Sequence, residues 1–79
     1  MMNLMRRASN YIYIMTDEEF REALGLALEI VGKKRIFVYT GSCDFVIEVV
    51  ATKYEMKKLM KKFYSSDDIQ SVSFSLGSF

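Results

Sequence analysis

The stretch Arg35-Ile-Phe-Val-Tyr-Thr-Gly-Ser-Cys-Asp-Phe-Val-Ile-Glu-Val-Val-Ala51 decides how this chain folds. β-Branched and aromatic residues fill both of its halves, and Gly41-Ser42 separates them. Arg35 to Thr40 therefore reads as one strand and Cys43 to Ala51 as another, paired through a tight turn as an antiparallel hairpin. Upstream, Tyr11-Ile-Tyr-Ile-Met15 reads as a further strand. Thr16-Asp-Glu-Glu19 then has the spacing of a capping box, with Met15 and Phe20 placed as a hydrophobic staple. Phe20, Ala23, Leu24, Ala27, Leu28 and Val31 recur at helical spacing, and Gly32-Lys33-Lys34 predicts the stop. Gly25, costly inside a helix, points to a close packing contact.

Downstream of the hairpin, Thr52-Lys-Tyr-Glu55 repeats the capping-box pattern. Met56, Leu59, Met60 and Phe63 form one apolar stripe, and Lys57, Lys58, Lys61 and Lys62 fall on the faces away from it. Ser65-Ser-Asp-Asp68 breaks the period. Ile69 to Leu76 alternates apolar residues with Ser, which predicts a last strand with one buried face. The order β-α-β-β-α-β is that of the α+β ferredoxin-like fold, a four-stranded antiparallel sheet with two helices on one face. With 79 residues there is room for one domain, read as residues 11–79 after an N-terminal extension of residues 1–10.

A chain that is 51% hydrophobic and 27% charged, without proline, has the composition of a packed globule. A core of this size supplies only about 3–5 kcal/mol. One cysteine and no histidine leave neither a disulfide nor a Cys/His metal site to supplement it, so oligomerisation is the remaining source of stability. Eleven Lys and Arg against ten Asp and Glu give +1, and this net charge nominates neither nucleic acid nor membrane as a partner. The first residues lack an apolar run of signal-peptide length, and a single Cys43 suits a reducing compartment, so the expected location is the cytoplasm.

Period-two alternation carries the functional reading. If the helices cover Ile12, Ile14, Ile36, Val38, Phe45, Ile47, Val49, Val72, Phe74 and Leu76, then Tyr11, Tyr13, Phe37, Tyr39, Val46 and Val50 face the other way. A one-sided sheet normally turns polar residues to water, and a large apolar patch marks an interface. The simplest cover is a second copy packed sheet to sheet. The alternative is an RNA-recognition-motif-like platform on which single-stranded nucleic acid stacks. That alternative needs cations among the aromatics, whereas the charges on this face are Asp44 and Glu48, with Arg35 at the margin.

Val38-Tyr-Thr-Gly-Ser-Cys-Asp44, the alternating Phe45–Val50 strand, the amphipathic helix and Asp68–Leu76 together resemble the ligand-binding (RAM) domain of the Lrp/AsnC family of transcription regulators. Gly41 and Asp44 match the Gly-x-x-Asp motif of that domain, and the likeness covers about residues 11 to 77. The resemblance implies a dimer through the sheets, larger rings, and an amino-acid-like effector bound near Gly41, Ser42, Cys43 and Asp44 where subunits meet. Only about ten residues precede the first strand, so it further implies a stand-alone form without the helix-turn-helix. Such a form would bind no nucleic acid directly and would act by co-assembly with a full-length Lrp-like regulator. A pure oligomerisation adaptor is the variant without an effector.

Beside that likeness, a turn glycine at position 41 is expected to adopt positive φ, to expose backbone N–H groups to a carboxylate, and to leave Asp44 free to accept from an ammonium or from turn amides. Catalysis has little support. Without histidine, Cys43 lacks a base and reads as a small, partly buried side chain. Asp44 and Glu48, four residues apart on a strand, are separated by roughly 13 Å, too far for a carboxylate pair. Asp67-Asp68 reads as a turn and not as a metal site. No phosphate loop occurs, and no cofactor is indicated. A small dimeric α/β-barrel enzyme would use a His or Arg pocket that the sequence does not display.

Overall fold

Antiparallel pairing between two eight-residue strands forms the middle of the molecule. The computed structural model describes residues 6–78. Along the chain run β1 (Arg7–Ile14), α1 (Asp17–Ile30), a 3₁₀ turn (Lys33–Arg35), β2 (Ile36–Thr40), β3 (Phe45–Thr52), α2 (Lys53–Ser65) and β4 (Ser73–Ser75). The sheet order is β2-β3-β1-β4 with every pair antiparallel. This is the ferredoxin-like α+β arrangement expected from the element order.

Both helices pack on the face that carries Ile12, Ile14, Ile47 and Val49, each at 0% exposure. Ala23 and Ala27 of α1 and Met56, Leu59 and Phe63 of α2 close the core from the other side. Each of the larger side chains gains about 1.5–3 kcal/mol from leaving water, so the two central strands and the two helix stripes carry most of the stability. Gly25 lies outside this packing. It is exposed, and an added Cβ would meet nothing within 4 Å, so it marks no close approach.

The edges of the sheet depart from strict alternation. Val38 and Leu76, expected beneath the helices, are 41% and 51% exposed. Val38 shares the helix-side register with Ile47, but β2 is an edge strand and the helices lie over the two central ones. Leu76 follows the end of β4.

β1 begins at Arg7 and not at Tyr11, so residues 7–10 of the expected extension belong to the sheet; residues 1–5 lie outside the described ones. Ala8, Ser9 and Asn10 are weak strand formers, and their pairing with Ala51, Val50 and Val49 overrides that preference. Asn10 is fully buried. Its amide donates to the carbonyls of Ala8 at 3.0 Å and Val49 at 3.1 Å, and its Oδ1 accepts from the Gly77 amide at 2.9 Å. Gly77 can lie there because it has no side chain; a Cβ would collide with the Ser9 carbonyl and the Ala8 methyl.

The last strand is three residues long, where alternation suggested eight. Glu19 explains its late start. Thr16 caps α1, accepting from the Glu19 amide at 3.2 Å, yet Glu19 does not return to the Thr16 amide as a capping box requires. Its Oε1 accepts from the Thr16 hydroxyl at 2.9 Å, and its Oε2 accepts from the Gln70 and Ser71 amides, both at 2.8 Å. Those two amides are thereby taken from the ladder, while Ile69 beside them is buried as an anchor. Met15 of the expected staple is exposed, and Phe20 stacks on Phe45 at 4.4 Å instead. The second box, at Thr52 and Glu55, is complete in both directions.

The Gln70 and Ser71 amides, with the Thr16 hydroxyl, hold the Glu19 carboxyl below the ordinary glutamate range despite its burial. A depressed folded-state value stabilises the fold above the unfolded value, near 4.5, and the contribution is lost as pH falls through the folded one. Glu19→Gln is therefore expected to cost about 1–3 kcal/mol at neutral pH, with the deficit shrinking below pH 4.5. Urea denaturation of both proteins across that range measures it. Asn10→Ala, which releases Gly77 and two carbonyls, is expected to lower the urea midpoint at unchanged slope by a similar energy.

Candidate functional site

The strand register aligns the open face into two rows that cross all four strands. One row reads Phe37, Glu48, Tyr11, Ser75 and the next Tyr39, Val46, Tyr13, Ser73. Val50, opposite Ser9, continues the face toward the start of β1. Tyr13, Phe37 and Tyr39 are 43%, 48% and 53% exposed, while Tyr11, Val46 and Val50 are half-buried by their neighbours. All six residues read from alternation thus share one surface. Both helices lie on the opposite side, so among the described residues nothing but side chains of the same sheet shields it.

Glu48 is the charge in the middle of these rows. The Tyr39 hydroxyl donates to its Oε1 at 2.8 Å. That bond is the main reason the phenol is held above its ordinary value, because ionised tyrosine could no longer donate to the carboxylate. A carboxylate already capped by a hydroxyl loses less on moving away from water than a bare one.

The Gly41–Asp44 loop caps the β2–β3 hairpin at one end of this face. It is a four-residue connection, longer than a two-residue turn, closed by the Gly41 amide donating to the Asp44 carbonyl at 3.0 Å. Gly41, Ser42, Cys43 and Asp44 are all exposed, so Cys43 is not the partly buried residue its chemistry suggested. Nor does Gly41 use a left-handed conformation; among the described residues only Gly32 does, at φ 95°. The loop needs a glycine for another reason. A Cβ at position 41 would lie 2.5 Å from Asp44 Oδ1, so the missing side chain lets the carboxylate fold over the loop.

Two structural residues escaped the reading by motif. Asn10 stands two positions before Ile12 on the buried side of β1, and a polar residue in phase with a buried row was the available signal. The long reach of Glu19 had none, since its local spacing fits a capping box equally well. Among the described residues no three Cys, Asp or Glu side chains group closely enough to hold a metal ion, and no helix is long and apolar enough to cross a membrane.

Set beside known proteins, the chain matches no family model, no curated protein and no solved structure.

The two glycines with crowded neighbours are expected to respond differently to alanine. Gly77→Ala meets backbone and should cost about 1–3 kcal/mol. Gly41→Ala meets only the tip of a surface side chain, which can swing away, and should cost less than about 0.5 kcal/mol. Parallel thermal melts of the two variants separate these cases.

Proposed function

We propose that this chain is a non-enzymatic assembly and sensing module of the kind it resembles, an Lrp/AsnC-type ligand-binding domain that modulates transcription in the cytoplasm. The two aromatic rows on the uncovered face carry this reading. A domain with so small a core gains from burying them, and a second copy supplies a matching surface through an isologous two-fold contact. Tyr39 prepares Glu48 for that contact, leaving the second carboxylate oxygen for a donor on the partner.

In the assembled form, the Gly41–Asp44 loop would supply one wall of an effector site. Asp44, lying over the loop, would accept from the ammonium of an amino-acid-like molecule. Because the Gly41 amide is engaged within the loop, Ser42 and Cys43 are the candidates to meet the effector carboxylate. Co-assembly with a full-length regulator would then carry the signal. A stacking platform for single strands is the poorer fit, because the two rows contain Glu48 and no cation.

Light scattering is the direct test: the parent should be a dimer or larger, and Tyr39→Glu should dissociate it. A parent that stays monomeric at high concentration removes the assembly reading. Calorimetry of the parent against the common amino acids should find at least one binder, lost in Asp44→Ala. Silence across the panel at millimolar concentration leaves an oligomerisation adaptor alone.

A further inference from the structure

A net charge of +1 conceals an uneven distribution. Arg7 stands opposite Thr52 in the β1–β3 register, which puts Arg6 and Arg7 beside Lys53, the first residue of α2. Ile36 pairs with Val49, so the Lys33–Arg35 turn that feeds β2 lies at the same end of the sheet. Three separate segments thereby gather Arg6, Arg7, Lys33, Lys34, Arg35 and Lys53 at one end of the molecule. All are exposed except the half-buried Arg35, and a shallow cavity of about 370 Å³ runs along Gly32, Lys33, Lys34 and Arg35. Two carboxylates stand near these six cations, Glu55, whose side chain accepts from the Thr52 amide, and Glu29 in the last turn of α1, four residues before Lys33.

At the other end lie Asp44, Asp67, Asp68 and the acidic first turn of α1, while Lys57, Lys58, Lys61 and Lys62 run along α2 between the two. Pairing of Ile14 with Phe45 sets Asp44 near the start of α1, and the bonds from Gln70 and Ser71 to Glu19 bring Asp67 and Asp68 there too. Seven residue steps along β1 separate the two ends, roughly 23 Å at the usual strand rise. Charges interact over only about 8–10 Å at physiological salt, so the acidic end does not cancel the basic one. A polyanion approaching the basic end meets a local excess of positive charge.

We infer that this basic end docks the phosphate backbone of duplex nucleic acid, a departure from the expectation that a form of this kind binds none directly. Surface ion pairs with the acidic end of another copy are worth only about 0–1 kcal/mol each and are screened by salt. A duplex carries a condensed counterion layer, and each phosphate neutralised releases part of it, which makes the duplex the stronger partner for the same cations. Single strands bind through stacking aromatics beside the cations. Here Lys33, Lys34 and Lys53 stand away from the aromatic rows, the neighbouring Tyr54 ring lies under the Lys58 ammonium at 5.5 Å, and Phe37, two residues from Arg35, is the nearest open-face ring along β2. The contact inferred is with phosphates, which position a protein on the duplex without reading its sequence.

Fluorescence anisotropy of the full chain with a labelled mixed-sequence duplex tests it. Binding is expected at about 50 mM salt, weakening on the order of 10²–10³-fold by about 200 mM, the dependence of four to six phosphate contacts. Lys33→Glu/Lys34→Glu should lose at least about tenfold and flatten the salt dependence. Arg6→Glu/Arg7→Glu, on a different segment, should do the same, with circular dichroism verifying both folds. The inference is overturned by no binding at low salt, by two folded variants that bind like the parent, by tighter binding of a single strand of equal length, or by equal competition from polyglutamate. Light scattering of the parent and both variants in the same buffers reads assembly separately, so binding lost with assembly intact and assembly lost with binding intact distinguish failure of this inference from failure of the sheet contact.

Discussion

The pairing of β1 with β3 is the constraint on which everything else in this molecule rests. Eight consecutive residues of each strand face each other, from Arg7 opposite Thr52 to Ile14 opposite Phe45. Period-two geometry then leaves no freedom: with Ile12, Ile14, Ile47 and Val49 turned to the helices, Tyr11, Tyr13, Val46 and Glu48 must face away. A slip of one residue would turn the isoleucines to water and the tyrosines to the core. The same register fixes what stands at each end of the sheet, and hence where the chain's charges collect.

β4 is attached on different terms. Its three ladder residues are too few to hold an edge strand alone, and its apolar contribution is modest, with Phe74 half-buried against Phe63 at 5.3 Å. Two side chains from distant parts of the chain secure its flanks instead. Glu19 takes the amides before it, and Asn10 takes the Gly77 amide after it. Both are buried polar groups whose side-chain hydrogen bonds are satisfied, which makes them specific fasteners, because each would be left unpaired if the segment it holds moved away. The chain end is thus held by charge-assisted and amide hydrogen bonds where the sheet centre is held by hydrophobic burial.

The open face adjoins the basic end through Arg7 and Arg35, while Lys33, Lys34 and Lys53 stand outside the aromatic rows, so one small domain presents two contact surfaces of different character. Aromatic rows favour a partner of like apolar character and exclude water, whereas the lysine and arginine end favours a hydrated polyanion. Salt separates the two, since it weakens the second and leaves the first nearly unchanged.

Local signals in the sequence were sufficient for the element order, the α2 capping box, the apolar helix stripes and the membership of the open sheet face, because each depends on residues within a turn or two or on strict alternation. Of the hairpin loop, Gly41 and Ser42 were legible as a turn, whereas Cys43 and Asp44 read locally as the start of the strand that begins at Phe45. What tertiary structure alone decided involves partners far apart in the chain. Glu19 leaves its capping box for amides more than fifty residues away, and Asn10 becomes a clamp and not part of an extension. Gly41 is required by the Asp44 carboxylate and not by its own dihedral angles. Nearly balanced charge along the chain becomes two opposed ends only when the β1–β3 register brings Arg7 to Lys53 and Asp44 to the start of α1. Neither composition nor spacing contains that information, since it resides in which strand lies beside which.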